Sequence, residues 1–196
     1  ELRSGYDLNL TIDNDLQQYA YNQLDGREGA VVALEPATGK VLAMVSCPDF
    51  DPSAQSMEAN WSSIVEREDS PLLARASQGL YPPGSTYKIV TAAAAYENGL
   101  AAETFHDEGK FKRGNLDVDN FGKASYGDID MKRAFEVSSN VAFCTLGYEM
   151  GPEKVTAAAE QFGINRDLEL DIPNGKMIKK NYVGKNLANY DSMIVL

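Results

Sequence analysis

The stretch "YPPGSTYK", residues 81–88, decides how the middle of this chain folds. Pro82 and Pro83 each fix their own φ angle and hold the preceding residue extended, so the chain should reach Gly84 straight rather than helical. Gly84 then allows a sharp change of direction. From Ser85 or Thr86 onward the sequence predicts a helix.

That helix is predicted to be central and buried on most sides. The run "IVTAAAAYENG" after Lys88 contains four consecutive alanines, leaves no polar face, and reaches a glycine stop at Gly99. Ser85 would then lie at the start of the helix, where backbone N–H groups point outward and favour negative charge. Because residues three apart share a helix face, Lys88 should lie one turn beyond the Ser85 hydroxyl.

Two interpretations of this Ser–Lys pair compete. In the first, Ser85 or Thr86 caps the helix and Lys88 is a solvated side chain. In the second, Ser85 is a nucleophile and Lys88 takes its proton. Only neutral lysine can do so, and at pH 7 neutralising an ordinary lysine costs about 4.6 kcal/mol. A buried helix can remove much of that cost by desolvation, so the apolar run favours the second interpretation.

Composition limits the function classes. The chain has 196 residues, 43% of them hydrophobic and 24% charged, enough for one domain or one domain plus a piece. No segment approaches 18 continuous apolar residues, so no membrane span is predicted. A net charge of −11 argues against a nucleic-acid partner. The chain begins at Glu1 without Met and ends in the apolar run "DSMIVL", which leads us to expect an excised fragment.

The cysteines and the histidine suggest neither a metal nor a cofactor. Cys47 and Cys144 lie far apart in apolar surroundings and are predicted to be small core residues, although a disulfide between them stays open. With His106 they make no plausible zinc site. No G-x-S-x-G motif occurs, and His106 lies in a polar run predicted as loop, so lysine is the better candidate to activate a serine.

The remaining elements follow from local pattern. Asp13 and Asn14 are suitable helix caps, Gly151 and Gly163 are stops, and Pro152 is a suitable helix start. The apolar run "GAVVALEPATGKVLAMVS" is predicted to form a β-hairpin. Two strands alone do not make a stable sheet, and the rest of the chain offers no partner strands of comparable quality. The stretch from Glu103 to Asp128 is polar and glycine-spotted, and the tail from Asn165 is loop-rich. In chain order we predict a strand over "DLNLTID", a helix over "DLQQYAYNQL", a hairpin over "GAVVALEPATGKVLAMVS", a loop over "CPDFDPSAQSMEANW", and helices over "IDMKRAFEV", "VAFCTLGYEMG" and "PEKVTAAAEQF".

A second motif, Ser138-Ser139-Asn140, follows the first by about fifty residues. Alone it is a capping signal. Together, S-x-x-K and S-x-N resemble the signature of penicillin-binding proteins and class A β-lactamases. The runs "LNLTIDNDLQQYA", "GAVVALEPATGKVLAMVSCPDFDP" and "RASQGLYPPGSTYK" are similar to penicillin-binding protein sequence in the same order. The chain thus resembles a penicillin-binding transpeptidase domain, nearer the monofunctional class B enzymes, over nearly its whole length.

The resemblance implies an α/β (α+β) fold with an antiparallel sheet flanked by helices, incomplete in this chain. It implies that Ser85 is the acylated serine, that Lys88 activates it, that Ser138 relays a proton and that Asn140 binds the substrate amide. The N–H of Ser85 would supply half of an oxyanion hole. The implied ligands are peptidoglycan stem peptides ending in D-Ala-D-Ala and β-lactam antibiotics, without cofactor or metal. The implied location is the outer face of the bacterial cell membrane, among other cell-wall synthesis proteins.

Three departures from the family pattern stand out. No K-T-G motif occurs, since "NGKMIKK" lacks the following Thr-Gly, and a family membrane anchor and pedestal domain are missing. Tyr126-Gly127 stands where the family often has His-Gly. We therefore expect residues 1–196 to be part of one transpeptidase domain and inactive alone. A serine β-lactamase, a β-lactam sensor domain and a degenerate cell-wall scaffold remain alternatives.

Overall fold

The computed structural model of the protein describes residues 9–165, together with the backbone pairing of two short strands beyond them. These residues divide into two compact units, with the boundary between Leu80 and Tyr81. The helices are α1 (Asn14–Leu24), α2 (Ala54–Glu66), α3 (Arg75–Gln78), α4 (Lys88–Glu97), α5 (Met131–Glu136), α6 (Asn140–Met150) and α7 (Pro152–Gln161), with 3₁₀ turns at Gly84–Tyr87 and Phe121–Lys123. The strands are β1 (Gly29–Leu34), β2 (Val41–Cys47), β3 (Thr104–Asp107), β4 (Lys110–Arg113), β5 (Leu116–Asp119), β6 (Gly127–Asp130), β7 (Leu168–Glu169) and β8 (Lys176–Met177).

The first unit is built around the predicted hairpin. Strands β1 and β2 pair antiparallel, with Val31 opposite Val45. Every second residue of β2 from Ala43 onward is buried, ending at Cys47, because alternate side chains of a strand share one face. Helix α1 packs against β2 and starts where predicted, at an Asp13 cap that accepts a hydrogen bond from the N–H of Leu16 at 3.0 Å.

The strand predicted before α1 does not form within the described residues 9–13. The segment runs beside β2 and makes two contacts with it. The hydroxyl of Thr11 donates to the carbonyl of Val41 at 2.6 Å, and the N–H of Asp13 donates to the carbonyl of Leu42 at 2.9 Å. One of these two hydrogen bonds comes from a side chain instead of the backbone, so the segment lies along the edge of β2 without forming a strand. The alternating sequence pattern corresponds to this extended edge segment.

The loop predicted over residues 47–61 was also wrong, because helix α2 begins within it at Ala54. The hydroxyl of Ser53 accepts a hydrogen bond from the N–H of Ser56 at 3.3 Å and caps the helix. Pro52, together with the Ser and Asn residues nearby, favoured the loop interpretation. In fact Pro52 stands just outside the helix, where proline costs no helical hydrogen bond.

The second unit contains the helix that was predicted to be central. Helix α4 packs against α6 and α7, and Ala94 and Ala95 are fully buried in the shared core. Two details differ from the prediction. The 3₁₀ turn containing Ser85 precedes the α-helix, which begins only at Lys88. The helix also has an exposed side, because Ile89 is 52% exposed.

The polar stretch between α4 and α5 was expected to offer no strands comparable to the hairpin, and the four short strands that it contains pair with one another. Strand β3 pairs with β6, and β4 pairs with β5 in a hairpin between them. Each of three strands turns one large side chain inward, and Phe105, Phe111 and Ile129 are all buried. Four-residue strands with at most one large buried apolar side chain are too short for an alternating pattern to stand out.

The fold class predicted from the sequence is confirmed: helices combine with antiparallel strands. The three helices predicted in the last third of the described chain are present as α5, α6 and α7. Cys47 and Cys144 are both buried and free, which resolves the question of a disulfide. The run "NGKMIKK", apart from the backbone pairing of Lys176–Met177, and the apolar end lie outside the described residues. Within the described part of the chain, no helix combines the length and the apolar character that crossing a bilayer needs.

Candidate active site

The first candidate residue, Ser85, lies in an exposed turn. The 3₁₀ turn Gly84–Tyr87 follows the two prolines and passes directly into α4, so that the N–H of Lys88 bonds the carbonyls of Ser85 and Thr86. The Ser85 side chain is exposed, whereas Tyr87 and Lys88 on either side of the helix start are buried. A rigid turn thus presents an accessible hydroxyl beside a buried amine.

Lys88 is enclosed although it is a lysine, with only 2% of its surface exposed. Its Nζ donates to the Ser138 carbonyl at 2.7 Å, to the Ser138 Oγ at 3.0 Å and to the Asn140 Oδ1 at 2.6 Å. Nζ also lies 5.6 Å from the centre of the Phe143 ring. An ammonium group has three donors, and these three acceptors account for all of them.

The surroundings of Lys88 favour its neutral form. Burial lowers the pKa of Lys88 from the ordinary lysine value, because the charged form loses its hydration. No carboxylate forms an ion pair with Lys88 among the described residues. The nearby Cys144 supplies no lasting charge, since burial raises the pKa of its thiol to about 12. An amine that is buried without a counter-ion is well suited to accept a proton.

Ser138 has an unusual backbone conformation. Its φ angle is +54°, in the left-handed region that costs a non-glycine residue about 1–2 kcal/mol. The turn between α5 and α6 directs both its carbonyl and its hydroxyl toward Lys88. The same hydroxyl lies 3.0 Å from the Ser85 Oγ. Strained backbone of this kind is found at functional sites more often than elsewhere.

Asn140 is the first residue of α6 and holds Lys88 with its side-chain oxygen. Its side-chain nitrogen donates to the carbonyl of Asp119 at 2.7 Å, which fixes the orientation of the amide. An amide nitrogen carries two N–H groups, and the second one has no acceptor among residues 9–165. Binding of a substrate amide by Asn140 stays a prediction.

The four predicted side chains therefore meet in one place. Ser85 and Lys88 are joined through Ser138, since one hydroxyl contacts both the Ser85 Oγ and the Lys88 Nζ. The roles predicted for the four residues, and the donation of the Ser85 N–H to an oxyanion, stay predictions. Phe143 was missed, although its position three residues after Asn140 places both on one helix face and could have revealed it.

His106 takes no part in this cluster of contacts. It lies on β3, not in the predicted loop, and its exposed ring contacts Asp128 at 2.6 Å and Glu108 at 3.4 Å. These contacts raise the pKa of His106, with the Asp128 hydrogen bond as the largest cause. Within residues 9–165, no group of His, Cys, Asp and Glu side chains is arranged to hold a metal ion.

Comparison with known proteins identifies the family. A family model described as penicillin binding protein transpeptidase domain matches residues 29–190. The chain is 38% identical to the peptidoglycan D,D-transpeptidase PbpA of Mycolicibacterium smegmatis, over 82% of this chain and 36% of that protein. It is 36% identical to the peptidoglycan D,D-transpeptidase MrdA of Acinetobacter baumannii, over 87% of this chain and 26% of that protein. The chain belongs to the penicillin-binding protein transpeptidase family, and the resemblance to class B members is confirmed.

Solved structures agree with this assignment. The fold is similar to penicillin-binding protein A from M. tuberculosis in its ceftriaxone acyl-enzyme complex, with a TM-score of 0.84 and 29% identity over 94% of this chain and 44% of that one. It is also similar to a D,D-transpeptidase domain from Eggerthella lenta, with a TM-score of 0.75 and 39% identity over 86% of this chain and 40% of that one. The chain spans about a third of the length of the curated relatives that it matches and less than half of these solved chains.

Proposed function

We propose that the protein is the serine-bearing part of a peptidoglycan D,D-transpeptidase, which cross-links stem peptides through an acyl-enzyme on Ser85 and is acylated in the same way by β-lactams. The observation that carries this proposal is the hydrogen-bonded path from the Ser85 hydroxyl through Ser138 to the buried amine of Lys88. Relatives named as peptidoglycan D,D-transpeptidases, and the acyl-enzyme complexes of penicillin-binding protein A, support it.

The proposed acylation begins with neutral Lys88. Ser85 Oγ attacks the carbonyl of the D-Ala-D-Ala bond while its proton passes to Ser138, and the Ser138 proton passes to Lys88. The carbonyl oxygen gains the electron pair, and the Ser85 N–H stabilises it. When the intermediate collapses, the bond to the last D-alanine breaks, and a proton returns along the same path to the leaving amine.

The second half of the reaction reverses these roles. An amine of a neighbouring stem peptide attacks the acyl carbon, its proton passes to the path, and Ser85 recovers its hydrogen as the new amide forms. A β-lactam enters by the first half alone, since ring opening leaves its amine attached to the acyl group. We therefore propose that the peptide and the antibiotic compete for one serine.

The proposal includes a longer protein and a location outside the cytoplasmic membrane. The matched relatives are two to four times longer than this chain, which supports a working enzyme with further segments, among them a K-T-G wall for the substrate carboxylate. Stem peptides are cross-linked outside the cytoplasmic membrane, so the site must face that side. Contacts with other cell-wall synthesis proteins are part of the same proposal.

Fluorescent penicillin labelling of the full-length protein tests the function. A band that is competed by benzylpenicillin and persists for an hour is the expected result. Rapid nitrocefin turnover would identify a β-lactamase instead, and a properly folded protein that takes no label would identify a scaffold. A penicillin-labelled protein with no transfer of D-Ala-D-Ala peptide to an amine acceptor would identify a sensor domain.

A further inference from the structure

We propose that Asp107 and Asn120 are positioning residues for the reaction, which hold the Ser138-Ser139-Asn140 turn in the conformation that grips Lys88. Neither residue belongs to the two motifs, and each lies in the polar stretch between α4 and α5. The proposal rests on the proposed function for its kinetic consequence, but its structural part can be tested without activity.

Asp107 is a fully buried carboxylate at the end of β3, with an exposed fraction of 0%. Its oxygens accept hydrogen bonds from the Ser139 hydroxyl at 2.6 Å, from the Asn120 side-chain nitrogen at 2.8 and 2.9 Å, and from the Gly109 N–H at 2.8 Å. No cation pairs with Asp107 in the part of the chain that the structure describes, and a buried carboxyl group needs hydrogen-bond donors held in place around it. Here one donor, Ser139, is the central residue of the second motif.

Asn120 connects this carboxylate to the start of α6. Its side-chain nitrogen faces Asp107 and the carbonyl of Ala124, which leaves its oxygen facing the other way. That oxygen accepts hydrogen bonds from the N–H groups of Asn140 at 2.8 Å and Val141 at 3.2 Å. Acceptors lie on the side of the Asn120 nitrogen and N–H donors on the side of its oxygen, which fixes the orientation of the amide. Asn120 is only 3% exposed, so solvent cannot easily take the place of these partners.

The turn is therefore held from two sides. Ser139 is tied to Asp107 and also accepts the N–H of Ala142, so it caps α6. Asn140 is tied at its backbone to Asn120 and at its side chain to the carbonyl of Asp119. Between these anchors, Ser138 keeps its positive φ angle, a conformation that persists only where the surroundings enforce it.

The anchored turn supplies the hydrogen-bond acceptors of Lys88. Among the described residues, Ser138 and Asn140 provide all three, and the titratable group near Lys88 is the buried, uncharged thiol of Cys144. If the turn loosens, the Ser138 hydroxyl no longer bridges Ser85 and Lys88 at 3.0 Å on both sides. A displacement of about 1 Å in such a path can cost about 10²-fold in rate.

The direct test of positioning is amide hydrogen exchange of Asn140 and Val141 in the folded protein, with Asn120→Ala and Asp107→Asn as variants. Asn120→Ala removes the acceptor of both N–H groups, and Asp107→Asn places a donor against the donors of Ser139 and Asn120. Both should raise exchange at Asn140 and Val141 at least tenfold. The matched control is Asn98→Ala, which removes a similar side chain-to-backbone bond at the far end of α4 and should leave these two amides unchanged.

The kinetic test is the rate constant of penicillin acylation per folded molecule, measured between pH 6 and 10 in the full-length protein. Each variant should lower it about tenfold to a hundredfold and move the pH at which it is half-maximal, because the acceptors of Lys88 change. In the double variant Asp107→Asn/Asn120→Asp, an amide at position 107 can donate to a carboxylate at position 120. This variant should recover part of the acylation rate that is lost in Asp107→Asn. A purely structural role would reduce only the amount of folded protein.

Each outcome decides the matter. Unchanged exchange at Asn140 and Val141 in a folded Asn120→Ala protein overturns the proposal, as does a wild-type acylation rate and pH midpoint. Should both variants fail to fold, Ser139→Ala removes a single oxygen from the same contact, and a wild-type rate there overturns the proposal. Wild-type protein that takes no label refutes the proposed function, while the exchange measurement still decides the positioning.

Discussion

The hydroxyl of Ser138 lies 3.0 Å from that of Ser85, although 53 residues separate the two in sequence. It lies equally close, at 3.0 Å, to the Lys88 Nζ. Lys88 is therefore linked to the exposed serine through a second hydroxyl, as the proposed relay of the Ser85 proton to the amine requires. A hydroxyl can donate and accept at once, which is what a relay between two such groups requires.

We expect Ser85→Ala to abolish covalent labelling of the full-length protein by benzylpenicillin. The hydroxyl of Ser85 is the accessible member of the path, whereas the amine of Lys88 is buried. Peptide mapping by mass spectrometry should place the adduct on the peptide that contains Ser85. Thr86→Ala is a matched control that should keep the label, because the Thr86 hydroxyl donates to the Pro83 carbonyl at 2.5 Å and not to this path. An adduct on Ser138 would contradict the assignment.

Lys88→Arg should lose most acylation while the protein stays folded. Arginine keeps the positive charge but does not give up a proton, and removing a general base typically costs about 10²- to 10⁴-fold. In the wild type the acylation rate should rise with pH, because Lys88 must be neutral to act. Burial lowers the pKa of Lys88, so the midpoint of this rise should fall below the ordinary lysine value. An arginine variant that reacts within a few-fold of wild type would show that Lys88 is not the base.

The same lowered pKa predicts how stability depends on pH. Between the folded-state pKa of Lys88 and the ordinary value near 10.5, the unfolded chain binds more protons than the folded one. The free energy of unfolding of the wild type should therefore rise with pH through this window relative to Lys88→Met, and the difference should level off above and below it. Urea unfolding at several pH values measures this. Ile89→Met changes the neighbouring exposed residue and keeps Lys88, so the difference in free energy of unfolding between wild type and this variant should not depend on pH.

Two substitutions of Ser138 should distinguish the effect of its backbone conformation on stability from the effect of its hydroxyl on the acylation rate. Ser138→Gly and Ser138→Ala both remove the relay and should lower the acylation rate by similar factors. Their stabilities should differ, because glycine adopts the φ of +54° freely and alanine does not. We expect Ser138→Gly to be more stable than Ser138→Ala by about 1 kcal/mol in urea unfolding. Equal stability of the two would mean that the left-handed conformation relaxes when the side chain is lost.

A buried arginine should matter for the stability of the first unit. The Arg75 side chain is 4% exposed and donates to the Glu28 carboxylate at 2.6 Å and to the carbonyls of Asp69 and Ser70 at 2.6 and 2.9 Å. Arg75→Met should lower the free energy of unfolding by about 2–4 kcal/mol, because two carbonyls lose their donor. Arg67→Met removes an exposed pair with Asp69 and a longer hydrogen bond to the Asp49 carbonyl at 3.2 Å, and it should lower the free energy of unfolding much less, because water can replace exposed contacts. Equal losses in the two variants would contradict this account.

The sequence predicted the parts of the site that local rules control. The prolines before Ser85 and the apolar helix after Lys88 favoured a serine at a helix start next to a buried lysine, and the family resemblance implied the partners Ser138 and Asn140. The contacts of Asp107 and Asn120 with the start of α6 could not be predicted, since they depend on the pairing of β3 with β6 and of β4 with β5, which local sequence patterns do not reveal. The helix at Ala54 was missed because its Ser53 cap lies among prolines and polar residues that are also typical of loops.

The distance in sequence between Ser85 and Ser138 also makes the site a late product of folding. Closing a loop of 53 residues costs chain entropy that local helix formation does not repay, so the two hydroxyls meet only when the second unit has assembled. Until then the Ser85 hydroxyl has no contact with Ser138. Under the proposed function, penicillin labelling therefore reports an assembled second unit rather than the mere presence of the polypeptide.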